Sequence, residues 1–479
     1  MKSNPSLKQN FYYNLSYQIL LVIAPVITAP YISKTLGPDN IGVFSYTEAV
    51  TVYFVLIGVL GLSTYSQLQC SKIRDNKQAF SQRCVECIIC RMITMGISIL
   101  VFLAFIAINR EYHVIFLIEL LTLVSNFIDC TWVLQGLEDF KTITLRNVFI
   151  KILSIGAIFL LVKNENDLWK YALINCGGTL LGNILIIPTV LKEIDFLLIH
   201  RPFIIKPHLK QAISFFLPTI ASVLMNSIDR IMIVRITDSE VENGFYEQAV
   251  KIESLVFLLF TSFTRTLKPR MAYLYKTKDN ETLKHYLSIA YEFVLMFAFP
   301  ITFGIIAVAD GFVPWFFGAK FFSVIPVLKI CACWILFKAM NNVMIEQYMI
   351  PCKKQNTATI IMWIGVITNT TLNCCLIKEY GAKGAATASV LSEFCIFIIS
   401  ILKNREMVIF NDLISKACKK IVAGIVMFIS ILSFMNLSDL RPSITRTVAE
   451  VSLGVIVYFF ILLVLRDKSL SKILKKVIN

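Results

Sequence analysis

Stretches of about twenty apolar residues recur along this chain, and the gaps between them stay under roughly 22 residues. A helix crossing ~30 Å of hydrocarbon needs such a length, because in lipid each backbone polar group must bond within its own segment. Fourteen segments qualify: 11–33, 43–65, 84–108, 113–135, 147–163, 169–191, 211–235, 246–266, 286–308, 323–348, 357–377, 384–402, 419–436 and 446–465. The remainder leaves no room for a folded domain outside the membrane. Of the 479 residues 57% are hydrophobic and only 16% charged, which excludes a soluble enzyme, a disordered chain and a nucleic-acid binder. The first apolar run is too long for a signal-peptide core and lacks a small-residue cleavage site, so it reads as a retained transmembrane helix. The expectation is an all-α polytopic membrane protein.

The chain nevertheless carries a net charge of +15. Cytoplasmic loops keep Lys and Arg, so their distribution sets orientation. With the N-terminus inside, 30 of the 46 basic residues fall on the inner side and 10 on the outer side. The other six lie deeper within spans, basic residues at span ends being counted with the adjoining loop: Arg91, Lys151, Arg230, Lys251, Lys329 and Lys338. Both termini are therefore expected in the cytoplasm, with the basic loop 265–284 and the tail after Leu465 against the anionic inner leaflet.

A weak internal repeat adds to this. Gly42-Val-Phe44 opens the second span and Gly244-Phe-Tyr246 the eighth, 202 residues later, each leading into Glu-containing sequence that ends Ala-Val. The match pairs spans one and two with spans seven and eight. Six helices separate the copies, so both share one orientation, the parallel repeat of a transporter with its binding site between halves. The predicted organisation is two parallel six-helix pseudo-repeats around a central cavity, at 1–205 and 206–405. Residues 406–479 add two C-terminal helices and a basic tail.

Three stretches carry a family resemblance. NLSYQILLVIAPVITAPYISKTLGPDNIGVFSYTEAV contains a "PY-x-x-(R/K)-x-LG-x-x-x-(Y/F/I)-G" turn from Pro30 to Gly42. FFLPTIASVLMNSIDRIMI, residues 215–233, places Pro218 and Asp229 in the seventh helix. NTTLNCCLIKEYGAKGAATASVLSE has Asn369, Asn373, Gly381, Gly384 and Ala385 in an "N-x-x-x-N…GA-x-GAA" pattern. The chain thereby resembles the polysaccharide (Wzx-like, O-antigen) flippases of the multidrug/oligosaccharidyl-lipid/polysaccharide exporter superfamily. The resemblance implies a flippase moving undecaprenyl-diphosphate-linked oligosaccharide (O-antigen, capsule or exopolysaccharide) across a bacterial cytoplasmic membrane by alternating access. It implies no catalytic residue, cofactor or metal. Implied partners are that substrate, membrane lipids, H+ or Na+, and a polysaccharide polymerase with its chain-length regulator. Unbonded sugar hydroxyls and a diphosphate make unassisted crossing negligible, so a polar, cationic route is required.

Polar stripes mark where that route would lie. Span one places Asn14 and Gln18 at i, i+4, with Asn10 and Tyr17 adjoining. Span seven lines up Ser214, Pro218, Ser222, Asn226 and Arg230; span eight carries Glu247, Lys251, Ser254, Thr261 and Arg265; span two adds Glu48 and Thr51. The bland reading is that Ser, Asn and Gln bond neighbouring helices. Arg230 and Lys251 are the expected diphosphate cations, against snorkelling to the interface. Arg265, with Lys268 and Arg270, stands at the inner mouth. Asp229, Glu48 and Glu253 are the acids deep enough for a coupling ion, against static pairing with Arg230 or Lys251. Lys338 has no assigned partner, and Arg91 and Lys151 read as snorkelling residues.

Cys84, Cys87 and Cys90 form C-x-x-C-x-x-C, but no fourth Cys precedes a Pro as in a ferredoxin run, so helix packing is the reading. The four His (113, 200, 208 and 285) lie at span ends or in loops, and there is no P-loop to couple ATP. A drug antiporter would not need the in-span cations. A polymerase or glycosyltransferase would carry a large outer loop, and here the outer loops are short.

Overall fold

In the computed structural model the described residues are 7–199, 202–265, 267–408, 410–437, 441–467 and 470, with the backbone alone for 7–17, 218, 263–265 and 410–412. Their regular structure is helical throughout: α1 (Leu7–Val59), α2 (Leu62–Ile73), α3 (Lys77–Ile108), α4 (His113–Ile128), α5 (Thr131–Gly136), α6 (Phe140–Leu161), α7 (Leu168–Glu193) and α8 (Lys206–Thr237). There follow α9 (Glu240–Arg265), α10 (Lys268–Lys276), α11 (Asn280–Phe316), α12 (Val324–Asn342, continued by a π-helical turn Val343–Met349), α13 (Gln355–Lys403), α14 (Phe410–Leu437) and α15 (Ile444–Val464).

Two of these are broken by glycine. Gly37 in α1 has φ 77° and Gly381 in α13 has φ 54°, conformations that a side chain strains. Asn369 and Ser389 lie twenty residues apart in α13, ~30 Å along a straight helix, yet their side chains hydrogen-bond at 3.2 Å. The chain therefore doubles back at Gly381, where Ala382 N–H donates to Glu242 Oε2 at 2.8 Å. Gly384 lets the legs close: a Cβ there would stand 2.2 Å from the Leu376 carbonyl oxygen. Leu21 and Ser63 line one cavity, so α1 folds back too.

Nine helices among the described residues are long and apolar enough to cross a membrane, or ten if the bent pair Lys206–Leu217 and Thr219–Thr237 is one span. The protein is an all-helical, multi-pass membrane protein. α4, at 16 residues, is shorter than the expected span 113–135, because the chain breaks at Asp129 before α5. α9 carries Glu247, Lys251 and Glu253 in its middle, too many charges for a simple lipid-facing span. Large apolar side chains remain exposed on the apolar helices, Leu100, Ile108 and Leu160 on α3 and α6, Ile367 and Phe460 on α13 and α15. In a bilayer such faces meet lipid.

The chain divides into two compact units, residues 1–227 and 228–479, with the boundary inside α8. In the first, Cys84, Cys87 and Cys90 pack with Leu62, Tyr65, Trp132 and Ala212 in one core, which is the packing role their helical spacing suggests. His208 Nε2 meets Glu86 Oε2 at 2.9 Å and its Nδ1 meets Tyr65 Oη at 2.7 Å, so this buried histidine fastens the start of α8. In the second, Met296 and Val308 of α11 pack against Met427, Ile431, Tyr458 and Leu462. α11 is capped by Asp279, whose carboxylate accepts the Thr282 N–H at 3.1 Å. The Thr282 hydroxyl and N–H hold that carboxyl below the usual carboxylate range.

Candidate functional site

Asp229 is the centre of the polar interior in the second unit. It is 1% exposed, on α8. Tyr246 Oη and Ser389 Oγ donate to its Oδ2, the latter at 2.7 Å, and Asn373 Nδ2 donates to its Oδ1. Asn373 also donates to Asn369 Oδ1 at 3.1 Å. All these donors are neutral, so a carboxylate there is solvated by hydroxyls and amides rather than cancelled by a cation. The fold-back of α13 makes the cluster, by bringing Asn369 and Asn373 on one leg to Ser389 on the other.

The neighbouring charges are paired differently from the expectation. Arg230 Nε lies 3.0 Å from Glu247 Oε2, so the cation meant for a diphosphate holds a carboxylate of α9. Glu253, fully buried, is 3.1 Å from Lys338 Nζ on α12, and the same ammonium sits 4.6 Å and 4.8 Å from the rings of Trp334 and Phe257. Lys338 thus finds its partner in an acid that was a coupling candidate. Lys251 is half-buried with no carboxylate at salt-bridge distance among the described residues. Ser222 and Asn226 are exposed, and Asn226 donates to the Ser222 carbonyl at 2.7 Å. The side chains of Asn10, Asn14, Tyr17, Pro218 and Arg265 lie outside the described residues, as does His200.

In the first unit Gln18 and Glu48 are half-buried and Thr51 is buried. Glu48 lies within electrostatic reach of Glu119 on α4, a buried acid that sequence reading passes over. Arg91 corrects an expectation: it does not snorkel but is 2% exposed. Its Nε donates to Asn126 O at 2.7 Å, its Nη1 to Ser63 Oγ at 2.7 Å, and its Nη2 is 3.2 Å from Asp129 Oδ2. Those contacts form one edge of an open cavity of about 550 Å³ whose lining residues all belong to this unit. α6 lines it with Arg146, Asn147 and Lys151, and α7 with Gly178, Thr179, Gly182 and Asn183. Asn126, Asp129 and Gln135 close it from the α4–α5 break. Lys151, also expected to snorkel, faces this cavity instead. No hydropathy signal marks these residues. The only clue is spacing, Gly178 and Gly182 standing about one turn apart on α7 and Arg146 and Lys151 five residues apart on α6.

The profile of the polysaccharide biosynthesis protein family matches residues 7–275, more than half of the chain. The chain belongs to that family. A protein of Escherichia coli K12 described as "Putative O-antigen transporter" is 25% identical over 191 residues, 39% of this chain and 46% of that protein. One of Shigella dysenteriae with the same description is 22% identical over 382 residues, 78% of this chain and 94% of that protein. The first of these alignments thus spans less than half of the relative's length. Among solved structures, a lipid II flippase, MurJ, in an inward closed conformation superposes with a TM-score of 0.71 at 16% identity, covering 96% of this chain and 99% of that one. A multidrug resistance MATE family transporter of the MOP superfamily, inward-facing, gives 0.61 at 14% identity, covering 80% and 97%. At such identities the likeness is one of fold, and the family member described here has the MurJ/MATE-type fold. Its named relatives are transporters, not enzymes.

Proposed function

We propose that this family member is a flippase for undecaprenyl-diphosphate-linked oligosaccharide, a repeat unit of O-antigen, capsule or exopolysaccharide, in a bacterial cytoplasmic membrane. The observation that carries the reading is the alignment over 94% of a relative described as "Putative O-antigen transporter", within a family profile of polysaccharide biosynthesis. Alternating access across fourteen crossings suits it, counting α1 and α13 as two each and including α4, α8 and α9, with both termini cytoplasmic. Segments 1–205 and 206–405 are the repeated six-helix parts and 406–479 the addition.

Within this reading Arg230, Lys251 and Arg265 attract the diphosphate while Asn14, Gln18, Asn226 and Glu48 meet polar parts of the head group. Glu247 beside Arg230 gives that cation an exchangeable partner, to be traded for phosphate. Asp229 is the best-supported site for a coupling H+ or Na+, since its shell of hydroxyls and amides is neutral. Glu48, with Glu119 nearby, is the second. Glu253 is third, because Lys338 already neutralises it. Polymerase and chain-length regulator would take the product at the outer face.

Deleting the chain in a strain without a second copy should trap lipid-linked oligosaccharide on the inner leaflet while its synthesis continues. Unchanged surface glycan in that strain sinks the proposal.

A further inference from the structure

A second pocket, of about 300 Å³, has all its lining in the second unit, between the first turns of α11 and the connection from α13 into α14. We propose that it holds the head group of a phosphoethanolamine lipid, with Glu406 taking the ammonium and Lys284 the phosphate. The inference goes beyond the transport reading and does not depend on it.

Depth points to a lipid. α11 brings Glu281, Lys284 and Tyr291 to the pocket, and Glu406 and Lys416 stand on its other side. The apolar runs of the two spans concerned start at 286 and 419, so these side chains straddle the level where hydrocarbon gives way to head groups. Met407, Val408 and Leu413 complete the lining, the last two buried. An apolar wall beside a charged rim suits an amphipathic ligand, whose glycerol and first methylenes lie against the wall. The volume is at the lower end of the ~300–1,000 Å³ of small-molecule sites, which fits a head group rather than a whole lipid.

The charges select the head group. Lys284 Nζ lies 3.1 Å from Glu281 Oε1, and Lys416 Nζ lies 3.5 Å from Glu292 Oε1 while also donating to Ser288 Oγ. Each lysine thus has its acid. Glu406 is exposed and has no cation at salt-bridge distance among the described residues. A purely anionic head group would be set against that carboxylate. A zwitterion is not: its ammonium meets Glu406, and its phosphate draws on Lys284, whose exposed i, i+3 pair with Glu281 is weak enough to exchange. His285, also in the lining, offers a ring nitrogen to the same phosphate. Tyr291 is a deeper donor. It is 2% exposed, and its hydroxyl has no hydrogen-bond partner among the described residues, a cost that a phosphate or ester oxygen removes. A choline head matches the charges but has no N–H for the carboxylate.

The test is native mass spectrometry on the purified full-length chain, stripped of lipid in detergent. Phosphatidylethanolamine, phosphatidylglycerol and phosphatidylcholine are offered at equal concentration. The first should be retained roughly fivefold more than either of the others. Glu406→Gln should bring that preference below about twofold, and Lys284→Gln should weaken retention about fivefold, Lys284→Arg less because it keeps the charge. Both residues are exposed, so neither change threatens folding. Tyr291→Phe should weaken retention about threefold without lowering the thermal midpoint, whereas a hydroxyl that meets no ligand would leave retention unchanged. Arg74→Gln, in an exposed pair with Glu138 of the first unit, should change nothing. No preference among the three lipids, or preference for phosphatidylglycerol, overturns the proposal. So does a preference that survives both Glu406→Gln and Lys284→Gln. Glycerophosphoethanolamine carries the same head group without chains and should displace the lipid only in large excess. Displacement at equal concentration assigns the pocket to a soluble zwitterion and overturns the lipid proposal.

Discussion

Glu253 can be given a role only after Lys338 is accounted for. Removing one member of a buried ion pair leaves the other charged in a dry interior, at a cost of about 3–5 kcal/mol, whereas replacing both with apolar residues of similar size is often neutral. Lys338→Met should therefore lower the thermal midpoint in detergent by an amount of that order, and adding Glu253→Leu should recover most of it. If the double variant is as stable as the unaltered chain and still exports glycan, Glu253 is structural and carries no coupling ion. A destabilisation under ~1 kcal/mol for Lys338→Met alone would show that the ammonium escapes to water and the pair does not hold the fold. Sequence reading finds both residues but cannot join them, since a stripe on one helix fixes its own face and not what stands opposite. The same limit hides the partners of Arg91. Asp229 is legible as an important acid. Its shell is not, because Tyr246 and Ser389 reach it only through the packing of α9 and the return leg of α13.

At the scale of elements, hydropathy locates most helices within a few residues and fails where charge or brevity breaks the rule. α9 reads as an ordinary span, and its acids and lysine are tolerated because Arg230 and Lys338 answer two of them. The glycine pattern of α13 reads in sequence as a family signature; its physical content is the close approach at Gly384. A methyl group there would press on the Leu376 carbonyl oxygen at 2.2 Å, which is backbone and has little freedom to yield. Gly384→Ala should cost about 1–3 kcal/mol by overpacking and loosen the hydrogen bonds between the legs. At Gly177, inside α7, an added methyl would meet nothing within 4 Å, so Gly177→Ala should be neutral or stabilising by up to about 1 kcal/mol. Thermal unfolding of the two variants side by side checks this. Equal midpoints would mean that the legs of α13 separate at little cost and that Asp229 is not held as the hydrogen bonds suggest.

For the whole molecule the open quantity is how often the chain crosses. Length and apolarity alone count nine or ten helices among the described residues, because α1 and α13 then stand as single spans while α4 is too short and α9 too charged. The fold-back at Gly381 and the return of α1 toward Leu21 turn two long helices into four legs. With α4, α8 and α9 admitted, the total becomes the even number that the charge bias demands. Lys and Arg divide 30 to 10 between the two sides only if every one of those legs crosses; dropping any single crossing inverts the sign of all loops after it. The prediction is therefore sharp at the C-terminal end, where errors in the count accumulate. Alkaline phosphatase, active only outside the cytoplasm, should be inactive when fused after Lys476 and active when fused at Pro442, between α14 and α15. The reverse pattern would require an odd number of crossings before α14. In that case the first legs to reconsider are those of α9, whose charges already set it apart from the helices that face lipid.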